Sequence, residues 1–325
     1  MKKLFTLLAI SFVSIGLCLY SCTKDENENS TQPQVTPDPD PDPDPDPDPD
    51  PNSDTLVVNV SQTPTTRSIL IEEFTGNRCG YCPLGHKAAN EVVAAYPGKA
   101  FVINYHVAGG LAVAYTTQAG NVLNSAYNVA NGSYSIPAAL INRHDFNNGS
   151  AKLTESFGNY ATDAAQIAAM PACANVAAAA RIDRASRTLE LKVQVYYTDN
   201  GTGSNNKLHV ALIQNNVMGT QSGSSGNPDQ VVGNQYKHNE MFLKFITRFS
   251  YSSITHTYSE GENISPVSQG SLIERTYTYT IPESFTDPTN NTTEAVALDD
   301  LEIVVFVTQT NEEVINACKA NLTIR

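Results

Sequence analysis

The chain has 325 residues, with 33 acidic and 20 basic side chains and a net charge of −13 at pH 7. This length accommodates about two domains. No clustered Lys or Arg run occurs beyond Lys2 and Lys3, which argues against a nucleic-acid partner, because neutralising phosphates requires clustered cations. Eleven of the acidic residues lie between positions 22 and 54, so much of the charge belongs to an N-terminal segment.

The first 21 residues predict an export signal. Lys2 and Lys3 precede an apolar run, residues 4–20, that is short for a transmembrane helix. The run ends at a small residue followed by Cys22, which resembles a bacterial lipobox. We therefore expect residues 1–21 to be a lipoprotein signal peptide. Cys22 would carry acyl chains, palmitate among them, that anchor the protein in the outer membrane.

Residues 22–54 predict an extended tether. The acidic residues just after Cys22 are similar to the export tag of Bacteroidetes surface lipoproteins, and residues 37–51 alternate between Pro and Asp. Proline fixes φ and disfavours helix in the preceding residue, and the aspartates repel one another. We expect a semi-rigid spacer of about 45 Å, at about 3.1 Å per residue. It would hold the folded part off the membrane, at the cell surface or facing the periplasm.

Residues 55–170 begin with a pattern of strand, two cysteines and helix. The β-rich run 68–74 predicts a strand. Apolar residues at helical spacing predict one face of a following helix: Leu84, Ala88, Val92 and Ala95. Cys79 and Cys82 fall at the N-terminus of this helix, where unpaired N–H groups and the helix dipole favour a thiolate. Arg78 would add a stabilising cation beside Cys79.

The C-x-x-C spacing has four interpretations. A c-type haem site has His directly after the second Cys, where Pro83 stands. A zinc site needs a second pair of ligands, and only His86 is near. We therefore expect no metal and no cofactor. A structural disulfide stays open, but the context favours a redox pair in which Cys79 attacks and Cys82 resolves the mixed disulfide.

Two further features resemble thioredoxins. These proteins have a buried carboxylate six residues before the first Cys, followed by Phe, and Glu73 and Phe74 occupy those positions. The resemblance implies that Glu73 exchanges a proton with Cys82. The sequence equally allows an exposed carboxylate paired with Glu72.

The second feature is Pro137, at the head of the apolar strand 135–141. The resemblance implies a cis bond between Ile136 and Pro137, with neighbouring backbone that positions a substrate chain. Residues 100–105 predict another strand, and residues 107–134 an insertion with a helix near 116–127. An amphipathic helix, beginning with Leu153 and Phe157, would end the domain before Pro171.

Residues 171–325 change to period two, as the alternation of apolar and polar residues over 189–195 shows. Further β runs, among them 208–213, 301–308 and 314–324, are separated by clusters of Gly, Asn, Ser and Pro. This pattern predicts an all-β, immunoglobulin-like sandwich after the α/β thioredoxin-like domain. Cys173 opens this region and Cys318 lies in the predicted last strand, so we expect a structural disulfide between them, with two buried thiols as the alternative. The six His residues lack metal-ligand spacing and are expected to be hydrogen-bonded or at the surface.

A family resemblance emerges from these motifs. Glu72-Glu73-Phe74-Thr75-Gly76 with Cys79-x-x-Cys82-Pro83-x-Gly85 resembles the 28-kDa outer membrane protein family of Bacteroidetes lipoproteins, and Tyr236-Lys237-His238-Asn239 is similar too. The resemblance covers roughly residues 60–325. It implies a thioredoxin-like domain joined to a β-sandwich on an outer-membrane lipoprotein, without a proven activity.

Two functions follow as hypotheses. The first is a tethered thiol–disulfide oxidoreductase acting on thiols or disulfides of extracytoplasmic proteins. Cys79, Cys82 and Glu73 would be catalytic, and Ile136, Pro137 and Arg78 would position the substrate. The alternative is a non-enzymatic surface binding module in which Cys79–Cys82 is a static disulfide and the sandwich binds protein or glycan.

Overall fold

The computed structural model describes residues 55–109, 111, 114–131, 135–146, 152–154, 156–200, 203–288, 291–309 and 312–325. The predicted signal peptide, the lipidation site Cys22 and the tether to residue 54 lie outside these ranges. Within them the α-helices are α1 (Cys82–Ala95), α2 (Gln118–Asn131) and α3 (Tyr160–Ala169). No helix of the described part is long and apolar enough to cross a membrane.

Strands make up most of the regular secondary structure in the described residues. In chain order they are β1 (Ile69–Thr75), β2 (Ala100–His106), β3 (Ala138–Ile141), β4 (Leu153–Thr154), β5 (Ala174–Asp183), β6 (Thr188–Tyr197), β7 (Asn206–Gln214), β8 (Val217–Gly219), β9 (Val231–Val232), β10 (Gln235–His238), β11 (Met241–Phe245), β12 (Phe249–Ser252), β13 (Thr257–Glu260), β14 (Glu262–Ile264), β15 (Leu272–Thr280), β16 (Ser284–Thr286), β17 (Thr293–Ala295), β18 (Leu301–Thr308), β19 (Val314–Lys319) and β20 (Asn321–Ile324).

The largest sheet has nine strands and the order β19-β18-β7-β11-β2-β1-β3-β4, with β14 also paired to β7. Strands β1 and β2 are parallel, whereas β3 is antiparallel to β1 and β4 is antiparallel to β3. The join between β2 and β11 brings Met241 beside Asn104. Strands from both predicted domains therefore belong to one sheet, and the domain boundary at residue 170 stays a prediction.

Helices cover both faces of the sheet at β1, β2 and β3. One face packs against α1 and α3, through a core that includes Ile71, Val92 and Ile167. The opposite face packs against α2, through a core that includes Phe74 and Leu123. Every residue of β1 and β2 is consequently buried, including the polar side chains of Glu72, Glu73 and Thr75 in β1.

The other half of the large sheet forms a sandwich-like arrangement with a second sheet of order β15-β6-β5-β20. Alternate residues of β7 separate the two faces, as period two requires. Leu208, Val210 and Leu212 face the second sheet, and Ala211 and Ile213 face the core under α2. The prediction of a β-rich region with stacked sheets is confirmed. Three small sheets, β8-β10-β9, β12-β13 and β16-β17, complete the described topology.

Several element boundaries differ from the expectation. The β run predicted to the end of the chain is two strands separated at Ala320, and Leu153 lies in β4 instead of the last helix. The predicted apolar face of α1 is correct at Val92, which is buried, and at Ala88, which packs against the same core, but it is wrong at Ala95, which is exposed. The buried face consists of Cys82, Pro83, Gly85, His86, Ala89 and Val92. Because this buried face includes the polar His86 and the small Gly85, the pattern of hydrophobic residues alone does not identify the buried face of α1 correctly.

The predicted disulfide between Cys173 and Cys318 is not formed, and both are free thiols. The charges of Asp199, Arg67 and Glu313 act on the Cys173 thiol. Asn316 Nδ2 donates to the carbonyl of Ala174, the residue after Cys173, at 2.9 Å, so Cys173 lies beside the part of β19 that precedes Cys318. A disulfide requires Cα atoms within about 7 Å, and this offset along β19 is consistent with the free thiols. The strand neighbouring β5 at the chain end is β20, which follows Cys318.

Candidate functional site

Cys79 and Cys82 form a disulfide at the N-terminus of α1, with their Cα atoms 5.4 Å apart. Cys79 is 3% exposed and Cys82 is fully buried, whereas Tyr81 between them is 70% exposed. The backbone N–H of Cys82 donates to Cys79 Sγ at 3.1 Å. The connecting loop therefore lies at the surface, while the sulfur atoms lie beneath it near the helix N-terminus.

The peptide bond between Ile136 and Pro137 is cis, as predicted. The Ile136 carbonyl oxygen lies 3.5 Å from Cys79 Sγ, so the structure brings this turn and the disulfide together. Arg78 is exposed beside them, and its backbone N–H donates to the carbonyl of Leu111 at 2.9 Å.

Glu73 lies beneath this turn, on the face of β1 that α1 and α3 cover. It is fully buried, and neither carboxylate oxygen has a hydrogen-bond partner. A Cβ added to Gly85 would lie 2.7 Å from Glu73 Oε1 and 2.7 Å from Pro137 Cβ, so these three residues are in contact. Burial, and secondly the charge of Glu240, raise the pKa of Glu73 well above its usual value. This carboxyl group can therefore hold a proton where an exposed glutamate is ionised.

The adjacent Glu72 points to the opposite face of β1 and has a different environment. Arg143 Nε and Nη2 donate to its two carboxylate oxygens at 2.6 and 2.8 Å, and Arg143 also pairs with Glu260. All three side chains are buried, and a paired charge is the form in which buried ions are tolerated. Of the two alternatives for Glu73, the exposed carboxylate paired with Glu72 is wrong, because β1 is covered on both faces and both carboxyl groups are buried.

A chain of hydrogen bonds begins at His86, one turn beyond Cys82. His86 Nε2 lies 3.7 Å from Glu73 Oε1 and 2.8 Å from Thr75 Oγ1, and Nδ1 lies 2.8 Å from the Tyr236 hydroxyl. That hydroxyl donates to Gln230 Oε1, so it accepts from Nδ1–H and leaves Nε2 as an acceptor. Burial, with a contribution from His238, lowers the pKa of His86 to about 3, which keeps the ring neutral.

Two further His rings pack beyond Tyr236. His238 lies 5.1 Å from the Tyr236 ring and 5.3 Å from His106, measured between centroids, and Tyr115 contacts both His rings. Neither ring nitrogen of His106 has a hydrogen-bond partner, and its burial lowers its pKa. The spacing of the His residues along the chain does not predict this cluster, and the Tyr236-Lys237-His238-Asn239 motif is its one visible signal in the sequence. No group of His, Cys, Asp or Glu in the described ranges is arranged to hold a metal ion.

A glycine-rich segment, residues 219–227, lies against the C-x-x-C loop. The Gln221 side chain donates to the carbonyls of Gly76 and Cys79, at 3.2 and 2.9 Å, and the Ser222 N–H donates to the Asn77 carbonyl at 2.9 Å. The sequence shows this segment only as a turn-rich cluster between strands. Its contact with residues about 140 positions earlier follows from the tertiary structure.

Comparison with solved structures shows the same overall fold in HBP35 of Porphyromonas gingivalis. It is 16% identical, with a TM-score of 0.58, over 79% of this chain and 76% of that chain. A structural-genomics target from Agrobacterium tumefaciens is 11% identical over 79% of this chain and 95% of its own, with a TM-score of 0.44. A domain of the outer membrane lipoprotein Omp28 from Porphyromonas gingivalis is 15% identical over 47% of this chain and 91% of its own, with a TM-score of 0.26.

A comparison with curated protein sequences finds no match. The family model described as "Outer membrane protein Omp28" matches residues 124–324. The matched range includes the sandwich-like region and the Tyr236-Lys237-His238-Asn239 motif, and it exceeds half of the chain. The chain therefore belongs to the Omp28 family of outer membrane proteins.

Proposed function

We propose that this outer-membrane protein is a thiol–disulfide oxidoreductase that acts on extracytoplasmic proteins through Cys79 and Cys82. The observation that carries the proposal is the arrangement of the disulfide. It lies at a helix N-terminus, with the Ile136 carbonyl 3.5 Å from Cys79 Sγ and a buried, unpartnered carboxyl group at Glu73. These are the parts that dithiol exchange requires: a favoured thiolate, a substrate-facing backbone and a proton acceptor.

The proposal includes a thioredoxin-like domain at residues 55–170. Its support is the strand order β2-β1-β3-β4, with β1 and β2 parallel and β3 and β4 antiparallel. The placement of α1 and α3 on one face and α2 on the other is further support. The sandwich-like region after residue 170 would then be a separate immunoglobulin-like module that shares the large sheet.

In the proposed reaction the reduced protein meets a substrate disulfide. The Cys79 thiolate attacks one substrate sulfur, which forms a mixed disulfide and releases the other substrate sulfur as a thiolate. The Cys82 thiol loses its proton to Glu73 and attacks Cys79 Sγ. The protein disulfide forms, and the first substrate sulfur leaves as a thiolate, so two electrons pass to the substrate. A substrate dithiol reverses the sequence and reduces the protein.

Glu73 suits the proton transfer because of its environment. Its pKa is raised by burial, so its proton affinity approaches that of a thiol more closely than an exposed carboxyl group does. Gly85 lies one turn after Cys82 in α1 and contacts Glu73, which places the carboxyl group under the start of the helix. Arg78 would favour the Cys79 thiolate by charge and help to position the substrate, together with Ile136 and Pro137.

A second candidate function is favoured by the burial of the sulfur atoms. Cys79 is 3% exposed and Cys82 is not exposed, which suits a structural disulfide that resists exchange. The protein would then be a surface binding module whose sandwich recognises protein or glycan, held by acyl chains on Cys22. A reduction potential below about −300 mV would favour this candidate.

The test is a disulfide-exchange assay with the full-length lipoprotein in detergent, using dithiothreitol and a protein disulfide as substrates. We expect Cys79→Ser to abolish turnover and Cys82→Ser to accumulate a mixed disulfide on Cys79, detected by mass spectrometry. Cys173→Ser is the matched control and should retain full activity. Equal rates for the wild type and Cys79→Ser would rule out the oxidoreductase.

A further inference from the structure

We propose that Gln221 is a positioning residue for the Cys79–Cys82 pair, and that residues 219–227 stabilise its oxidised form. This segment is called the bracket segment here. The inference rests on the proposed function, in which the pair exchanges between disulfide and dithiol. It adds an element that is absent from the sequence neighbourhood of the cysteines, because the bracket segment follows them by about 140 residues.

The first observation is that one side-chain amide contacts two carbonyl groups of the C-x-x-C loop, in addition to the carbonyl of its neighbour Ser222 at 3.1 Å. Gln221 Nε2 donates to the carbonyl oxygens of Gly76, at 3.2 Å, and Cys79, at 2.9 Å. The Ser222 backbone N–H donates to the carbonyl of Asn77, between these two residues, at 2.9 Å. Three of the four carbonyl groups from Gly76 to Cys79 are therefore held by adjacent residues of the bracket segment.

The second observation is the close approach of the two backbones. Gly223 has a φ of +68°, and a Cβ added to it would lie 1.9 Å from the carbonyl oxygen of Gly80, so only glycine fits here. A Cβ added to Gly226 would lie 3.1 Å from Leu84 Cδ2 and 3.6 Å from Pro83 Cβ. The bracket segment thus follows the C-x-x-C loop from Gly76 into the first turn of α1.

These contacts bear on the redox equilibrium because reduction changes the loop. The sulfur atoms are bonded in the disulfide, whereas two thiols must separate to non-bonded contact, about 3.5 Å or more. The backbone that carries Cys79 must adjust to this separation. Gln221 ties the Cys79 carbonyl to the Gly76 carbonyl, so it holds the loop in the disulfide geometry and opposes the adjustment.

The experiment measures the equilibrium between the Cys79–Cys82 disulfide and dithiothreitol, which is the reductant. Reduced dithiothreitol transfers two electrons and two protons to the Cys79–Cys82 disulfide and becomes a cyclic disulfide. In Gln221→Met the side chain keeps its length but has no donor. We expect the equilibrium constant for reduction of the pair to rise about threefold to tenfold, as the loss of one or two such hydrogen bonds implies. Gly223→Ala should shift it in the same direction.

The matched control is Gln269→Met. Gln269 Nε2 also donates to a backbone carbonyl, that of Thr198 at 3.2 Å, outside the disulfide site. This variant should leave the equilibrium constant unchanged. The full-length protein in detergent is used throughout, with trapped thiols counted by mass spectrometry and the melting temperature recorded for each variant.

An unchanged equilibrium constant in folded Gln221→Met overturns the inference, and so does a lower melting temperature without a redox shift, which would indicate a merely structural role. If Gly223→Ala does not fold, the equilibrium constant measured for Gln221→Met is sufficient to test the inference. The measurement needs no turnover. If the variants show the expected shifts but the wild type catalyses no exchange, the proposed oxidoreductase is contradicted and the role of Gln221 remains supported.

Discussion

Gly85 lies directly against the carboxyl group of Glu73, because a Cβ at Gly85 would be 2.7 Å from Glu73 Oε1. The same Cβ would be 2.7 Å from Cβ of Pro137. The absence of a side chain at this one position therefore allows the first turn of α1, the buried carboxyl group and the cis-proline turn to meet. The motif Cys82-Pro83-x-Gly85 contains a packing requirement as well as a redox pair.

Gly85→Ala should destabilise the protein. The added methyl group has no space against Glu73 and Pro137, and overpacking of this kind costs about 1–3 kcal/mol. The matched control is Gly80→Ala in the same C-x-x-C loop, where an added Cβ meets no atom within 4 Å. Urea unfolding curves should show a lower midpoint for Gly85→Ala only, and equal midpoints for the two variants would contradict the packing described here.

Glu73→Gln should change the pH dependence of stability. Because the pKa of Glu73 in the folded protein is raised above 4.5, the folded state binds a proton more readily than the unfolded state. Stability from this group is complete below pH 4.5 and is lost as the pH rises through the folded pKa. The variant should therefore lose less stability than the wild type between acidic and alkaline pH, measured by urea unfolding at several pH values.

Glu240→Gln provides the comparison for Glu73→Gln. Burial raises the pKa of Glu240 to about 7, so its contribution falls between about pH 4.5 and 7. Removing Glu240 should flatten the profile in that interval. If Glu73→Gln has the same pH profile of stability as the wild type, the pKa of Glu73 is not raised in the folded protein, which would contradict the prediction.

His106→Phe should make the protein more resistant to acid. Burial lowers the pKa of His106 well below 6.5, so the unfolded state takes up the proton and folding stability is lost as the pH falls below 6.5. Phenylalanine suits a ring that packs against Tyr115 and His238 and makes no hydrogen bonds through its nitrogens. Thermal unfolding between pH 4 and 7 should show a shallower dependence. Exposed His256, changed to Asn, is the control and should leave the profile unchanged.

Cys173 and Cys318 should be alkylated without prior reduction. Iodoacetamide added to the denatured, unreduced protein should modify both, and peptide mass spectrometry identifies them. In the native protein Cys318 should react far more slowly than in the denatured protein, because burial raises the pKa of its thiol to about 12. A disulfide-linked peptide containing both residues would contradict the free thiols of the structure.

Local pattern alone predicted several features correctly. The alternation of β6 follows from period two, the strand at 301–308 follows from its β-rich composition, and the helix after Cys79 and Cys82 follows from the strand-to-helix pattern. The cis bond at Pro137 followed from resemblance to a motif. These features depend on residues that are neighbours along the chain, where periodicity and backbone restriction act directly.

The environments of the ionisable groups required the tertiary structure. Whether Glu73 is exposed depends on what covers β1, and α1 and α3 cover one face of this strand while α2 covers the other. His86 and Tyr236 are 150 positions apart, and Gln221 and Cys79 are 142 apart, yet each pair is in hydrogen-bonding contact. Cys173 and Cys318 show the reverse case, in which an expected pairing fails because of an offset along β19.

The sequence by itself determined that this is a β-rich protein with a C-x-x-C at a helix N-terminus and an acidic Pro-Asp segment before it. These properties depend on composition and on short-range periodicity. Only the tertiary structure decided that Glu73 is buried under Gly85, that the bracket segment holds the C-x-x-C loop, and that one sheet runs through both halves. Each of these depends on packing between distant segments, and a local hydrophobic pattern specifies that a residue is covered without specifying by what.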